Sequence, residues 1–317
     1  MKQAVLVASH GTVDDLRDLP GFLTNVRRGR PASPELVAEV RRRVEAVGGS
    51  PLNRINAEVA RKLGERLGLR VTWANRLWKP YVRDAIAELA SSGVRRIVLL
   101  PLAQHSAHVY CADARPAAHS AGVELACAPN WGQRSSLTQA FAARIVTALK
   151  VVGGAANGAA NASNGEMGPR SHGIPTTVVM TAHSLPKAVV DAGDPYEREV
   201  RESAHAVSVA AATPGADVRY VLAFQSQGLS SGGAPIEWLG PDLPTVLDEA
   251  VARGDRRVVV APIGFLADHT ETLYDLDIEG RALAEKRGLF YVRAASLNAD
   301  DDFIEVLAEV ARPLLGP

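Results

Sequence analysis

The sequence predicts an α/β protein built from two similar domains, each a parallel sheet with helices on both faces. Three observations carry that reading. Four short β-branched runs, AVLVASHG, RRIVLLPLA, TTVVMTAHS and RRVVVAPIG, are apolar throughout rather than alternating, as strands buried on both faces are. Longer amphipathic segments lie between them, the order expected of α/β folds. The halves also resemble each other: VRRIVLLPLAQHSAH (Val94 to His108) and DRRVVVAPIGFLADH (Asp255 to His269) align without a gap. Each holds an Arg-Arg pair, an apolar strand, a proline and a final histidine.

Taken in order, MKQAVLVASHG enters a strand at once, without the long apolar segment of a signal peptide. No window approaches the ~18 apolar residues of a membrane span, so the expectation is a soluble, cytoplasmic protein. Ser33 to Val47, Asn53 to Leu67 and Tyr81 to Ser91 have helical periodicity, and SSG ends the last of them. Val151 to Pro175 is rich in Gly, Ala, Asn and Ser, and its centre lacks apolar periodicity. It reads as a flexible linker or excursion, giving a first domain over 1–150 and a second over 176–300. VLVASHG and VVMTAHS both end as strand, small residue, histidine. Open parallel sheets bind ligands beyond the carboxyl ends of their strands, which singles out His10, His108, His183 and His269 at a cleft shared by two facing domains.

Composition removes several function classes. Lys+Arg and Asp+Glu are both 35, so nothing favours nucleic acid or an anionic membrane as partner. The two cysteines, Cys111 and Cys127, are too few and too ill-spaced for a zinc site, an iron–sulfur cluster or a disulfide framework. They read as small core or surface residues of a reducing compartment. No P-loop, no G-x-G-x-x-G after the first strand, no G-x-S-x-G elbow and no H-E-x-x-H occurs.

Histidine and carboxylates remain. His183 ends a strand, where an imidazole can exchange protons near neutral pH or bind a metal. In GFLADHTETLYDLDIEG, Glu271, Asp275 and Glu279 recur every fourth residue. Asp268 and Glu271 have the spacing of a capping box, which would leave Asp275 and Glu279 as a solvated face. Against that, carboxylates so spaced repel one another, and no Lys or Arg lies between Phe265 and Gly280 to relieve them. A hard divalent cation would satisfy such a row. Spacing alone leaves both readings open.

With these residues in view, the sequence resembles the ferrochelatases, which insert Fe²⁺ into a porphyrin. The matching segments are TAHSLPKAVVDAGDPY, FQSQG, EWLGPDL, VVVAPIGFLADHTETLYDLDIE and AASLN, with weaker agreement in FLTNVRRGRP and EAVGGSPLNRIN. The resemblance implies two Rossmann-like, chelatase-type domains, each with a four-stranded parallel sheet, a cleft between them, and a C-terminal helix, 301–317, packing back on the first. It assigns His183 and Glu271 as the catalytic pair, with Asp275 and Glu279 continuing outward as metal or proton ligands on a helix with π-type widening. For the porphyrin it implies Arg28, Arg30, Arg43, Ser50 and Arg76 toward the carboxylates. Trp238 and Phe265 would pack on the macrocycle, with plain core aromatics as the alternative for those two.

Implied with these are Fe²⁺ as substrate, no required cofactor, porphyrin as the other partner, and a monomer or homodimer. Relatives that use coproporphyrin commonly carry a tyrosine after the first strand and another after the tryptophan of the fourth. Here those places hold His10 with Asp14, and Gly132 after Trp131. The leading expectation is therefore protoporphyrin IX, with coproporphyrin III as rival, and a cobalt or nickel chelatase or a non-catalytic porphyrin carrier further off. Leu19 to Leu23 reads first as a buried loop anchor and second as an apolar lip touching a membrane or a pathway enzyme.

Overall fold

The computed structural model describes residues 2–160, 175–213, 215–227 and 236–316. In chain order it begins with β1 (Gln3–Ser9), α1 (Leu19–Val26), α2 (Pro34–Ala46), α3 (Leu52–Leu67) and β2 (Val71–Asn75). Next come α4 (Val82–Ser91), β3 (Arg96–Pro101), α5 (Ala107–Ser120), β4 (Glu124–Cys127) and α6 (Ser135–Ala160). The later part holds β5 (Thr176–His183), α7 (Lys187–Asp191), α8 (Tyr196–Ala211), β6 (Val218–Gln225) and α9 (Leu243–Ala252). It closes with β7 (Arg257–Ala261), a π helix (Glu271–Gly280), α10 (Arg281–Lys286), β8 (Phe290–Arg293) and α11 (Asp301–Ala311).

Two sheets result, ordered β2-β1-β3-β4 and β6-β5-β7-β8, and every strand pair in both is parallel. The order is the same in each, as the sequence repeat predicts. Ala4 to Ala8, Ile97 to Leu100 and Val258 to Val260 are fully buried, which is why these strands read as unbroken apolar runs. The helices carry ordinary end signals. Ser33 caps α2 by accepting the backbone N–H of Leu36, and Asp242 caps α9 through Thr245. Gly68 ends α3 in the left-handed region at φ 64°.

The chain forms two compact units. One comprises Met1–Arg134, Leu266–Thr270 and Leu297–Pro317; the other comprises Ser135–Phe265 and Glu271–Ser296. In the first, α11 buries Phe303, Ile304, Val306, Leu307 and Val310, packs on α3, and stacks Phe303 against Trp131 at 6.4 Å. Lys62 of α3 fixes its start, donating to the Ala299 carbonyl (2.9 Å) and the Asp301 carboxylate (2.7 Å).

Two expectations need correction. The division does not fall at residue 150, because α6 packs on α8 and β7 and so belongs to the second unit from Ser135 onward. Residues 151–160 are helix, not linker. Their composition misled: the alanines of VVGGAANGAA are the best helix formers, and extending an existing helix avoids the cost of nucleation. The remainder of the expected linker, 161–174, lies outside the described residues. Leu19 and Leu23 follow the first of their two readings, a buried anchor: both are buried with Val13, against Phe22, Leu36, Val37, Val40 and Trp78.

Where β7 leaves the second sheet it passes close to β5. The Gly264 N–H donates to the Thr181 carbonyl at 2.9 Å, and a Cβ at 264 would stand 2.6 Å from the Cα of Ala182. Only glycine permits that approach, one residue from His183. Gly264→Ala should therefore lower stability by about 1–3 kcal/mol, read by chemical denaturation. A variant as stable as the parent would show that the two segments are not so closely apposed.

Candidate active site

β5 is buried up to its last residue, and His183 is the first side chain free of the sheet's burial. Three bonds fix the strand end. The Tyr196 hydroxyl donates to the His183 carbonyl at 2.9 Å. Ser184 donates its N–H to the Gln225 carbonyl at 2.7 Å and its hydroxyl to the Leu239 carbonyl at 2.9 Å. With its backbone held, the imidazole places Nδ1 3.1 Å from Glu271 Oε2, and the two side chains keep 36% and 40% of their surface exposed. Burial works against the imidazolium, but the Glu271 carboxylate, by charge and hydrogen bond, and the Asp275 charge outweigh it. The His183 pKa is raised above the ordinary 6.5.

Glu271 opens the π helix, the widening that the resemblance implies. Two side chains of β8 tie this helix in place. The Tyr291 hydroxyl donates to the Leu276 carbonyl at 2.9 Å, and Arg293 Nε pairs with Asp277 Oδ1 at 2.7 Å. Gly280 ends it, with no room for a Cβ beside the Asp275 carbonyl and Leu243 (both 3.1 Å).

The structure thereby sorts the acidic row. Glu271 faces His183, and Asp277 is tied to Arg293. Asp275 Oδ2 accepts from the Ser226 hydroxyl at 2.5 Å, and Glu279 is half-buried. Asp268 belongs to the first unit, where its N–H and carboxylate both engage the Asn298 amide (2.8 and 3.0 Å). Among the described residues no three His, Cys, Asp or Glu side chains converge to hold a metal ion.

Gln225 and Ser226 escaped the sequence reading. Gln225 ends β6 in register with His183, is 6% exposed, and donates Nε2 toward Ser226 Oγ (3.3 Å) and the Glu271 carbonyl (3.4 Å). Ser226 sits in the left-handed region at φ 58°, a conformation costing a non-glycine residue about 1–3 kcal/mol. The signal was present: FQSQG was singled out as a motif, and its polar pair follows a buried strand. Tyr196, in DAGDPY, was missed in the same way.

The other predicted residues are placed as follows. In the second unit Trp238 is half-buried and its backbone bridges Pro186, while Phe265 is buried in the core. In the first unit His10 is exposed at the end of β1, edge-on to Phe22 at 6.4 Å. Arg28 and Arg30 are exposed on one turn after α1, Arg28 at φ 56°. Arg43 Nε donates to Glu39 at 2.7 Å. The Ser50 hydroxyl is buried without a hydrogen-bond partner just before α3. Arg76 pairs with Asp113 and lies 5.6 Å over the Tyr110 ring.

Gly132 has a steric reason. A Cβ there would stand 2.1 Å from Cε1 of His105, a buried ring, so any side chain at 132 would have to displace that imidazole.

Comparison with known proteins agrees with this geometry. The family model for ferrochelatase matches residues 2–314. The ferrochelatase of Acidobacterium capsulatum is 34% identical, over 98% of this chain and 94% of its own. That of Thermus thermophilus is 32% identical over 96% and 97%, and the coproporphyrin III ferrochelatase of Anoxybacillus flavithermus is 32% identical over 96% and 94%. Among solved structures, SirB from Bacillus subtilis has a TM-score of 0.56 at 13% identity, covering 99% of this chain and 96% of its own, a likeness of fold. A match over nearly every residue, with a histidine and a glutamate meeting where the sheet releases them, places this chain in the ferrochelatase family.

Proposed function

We propose that this enzyme inserts Fe²⁺ into protoporphyrin IX, releasing two protons, with His183 and Glu271 at the reacting nitrogens. The observation that carries the reading is the His183–Glu271 contact at 3.1 Å with both side chains partly open. A free-base porphyrin must lose two pyrrole N–H protons as the metal enters. Neutral His183 accepts them in turn, and the Glu271 carboxylate stabilises each imidazolium and passes the proton on. Asp275, held by Ser226, and Glu279 continue the path outward for protons or iron. Iron is the substrate, and no resident cofactor is called for.

The exposed guanidinium groups of Arg28 and Arg30, with Arg43, Arg76 and the Ser50 hydroxyl, are the groups proposed for the porphyrin carboxylates. Trp238 is the aromatic proposed against the macrocycle, with Phe265 behind it in the core, and His10 the first-unit contact. Coproporphyrin III is the second reading, favoured by relatives that bear that name at 32% and 35% identity. His10 and Gly132, where coproporphyrin users commonly have tyrosine, favour protoporphyrin. With anaerobic Fe²⁺ insertion run on both porphyrins side by side, kcat/KM should be higher for protoporphyrin IX. The opposite order would overturn that assignment and leave the pair of catalytic groups untouched.

His183→Ala should lower metal insertion about 10²-fold or more with the circular dichroism spectrum retained. Turnover near that of the parent would remove His183 from its role. The pH dependence follows from the raised pKa. The base must be neutral, so kcat/KM falls as pH drops below a value above 6.5. Glu271→Gln removes the main influence holding that pKa up, so the acid limb of the profile should move to lower pH as the maximal rate falls. An acid limb that stays in place would assign it to another group.

A further inference from the structure

The two cysteines are separated by a helix-to-strand connection yet come together in the first unit. Cys111 lies on the inner face of α5 and is 5% exposed; Cys127 is the last residue of β4 and half-buried. Both pack in one cluster with Leu99, Tyr110, Ala114 and Ala118. The two side chains share that cluster, and Cys111 Sγ lies 3.6 Å from the carbonyl of Ala128, the residue after Cys127. Both are reduced.

We propose that Cys111 and Cys127 form a two-cysteine oxidation site, closed to a disulfide by a hydroperoxide. The chemistry divides between them. Cys127 is the more accessible of the two, Cys111 being buried, so Cys127 is the attacking thiolate, with the Arg115 charge favouring that form. Its sulfur attacks one peroxide oxygen, forming an S–O bond as the O–O bond breaks, to give a sulfenic acid and, from hydrogen peroxide, hydroxide as the leaving group. The Cys111 sulfur then attacks the sulfenic sulfur, its proton combining with the departing hydroxyl as water. Two thiols lose two electrons and two hydrogens in all, and one peroxide becomes two waters. The bond would tie α5 to β4 at the turn that carries Tyr110 and Asp113, the two side chains that hold Arg76.

The test uses the full chain, reduced and freed of thiol, exposed to stoichiometric hydrogen peroxide and then alkylated under denaturing conditions. Cleavage after Glu124 separates the two cysteines, so a Cys111–Cys127 bond leaves the fragments joined. The expected result is an intact mass lighter by two hydrogens, neither cysteine alkylated, and full reversal by dithiothreitol. In Cys111→Ser, Cys127 should instead yield a sulfenic acid trapped by dimedone, and in Cys127→Ser, Cys111 should remain alkylatable. The proposal is overturned if Cys127 proceeds to sulfinic acid in the parent while Cys111 stays alkylatable, if only intermolecular disulfides form, or if both cysteines alkylate fully after peroxide. The parent's peptide map decides the matter even if a serine variant does not fold. No step depends on metal insertion, so failure here leaves the proposed activity standing.

Discussion

The second unit depends on one contact, His183 Nδ1 against Glu271 Oε2, and on what it takes to hold that contact open. An imidazole and a carboxylate inside a closed core would carry a desolvation cost of several kcal/mol per ion. At the rim both keep over a third of their side-chain surface, so the pair can be charged and still meet a ligand. The buried strand beneath makes this possible. β5 is buried from Thr176 through Ala182 and releases its first side chain at His183, so strand length sets where the chemistry can begin.

Glu271 reaches the histidine from a different kind of element. The π helix is a rare element, and β8 braces it through Tyr291, which donates to the Leu276 carbonyl, and Arg293, which pairs with the Asp277 side chain. The consequence is in the direction of the carboxylates. Asp277 turns to Arg293 and becomes structural, while Glu271 and Asp275 are left for His183 and Ser226. Strain at Ser226 fits the same pattern: its hydroxyl reaches Asp275 from a left-handed backbone that a serine adopts only when its surroundings fix it.

Much of this was legible in the sequence, and the misses have physical causes. The α/β class and the doubled sheet followed from unbroken apolar runs, because burial on both faces erases alternation. His183 and Glu271 stood out as candidates because a strand end and an uncompensated acidic spacing are both local signals, but spacing left their roles open and the resemblance to a family made them a pair. Arg293 was not visible as the partner of Asp277, since it arrives from β8 and a contact between a strand and a helix leaves no trace in spacing. Gln225 and Ser226 were hidden similarly: a glutamine after a strand looks like any loop residue until register sets it beside His183. The boundary at 150 failed because composition was read without regard to what precedes it. Alanine and glycine following a long helix can simply continue it.

The repeat explains why one half carries the proposed chemistry and the other the groups proposed for the porphyrin carboxylates. Both sheets have the same order, and the aligned stretches Val94 to His108 and Asp255 to His269 leave β3 and β7 through a proline. The paths then differ. After β3 the chain enters an ordinary α helix, α5, and the residue aligned with Leu266 is His105, buried over Gly132. After β7 the chain runs on to the π helix and its acidic row. A duplicated frame thus preserves strand order, while the element that follows the third strand of each sheet decides what that end can do. α5 is an α helix whose Asp113 holds an arginine, and an arginine is suited to a carboxylate. The π helix brings carboxylates to a histidine, a pairing suited to cations and protons.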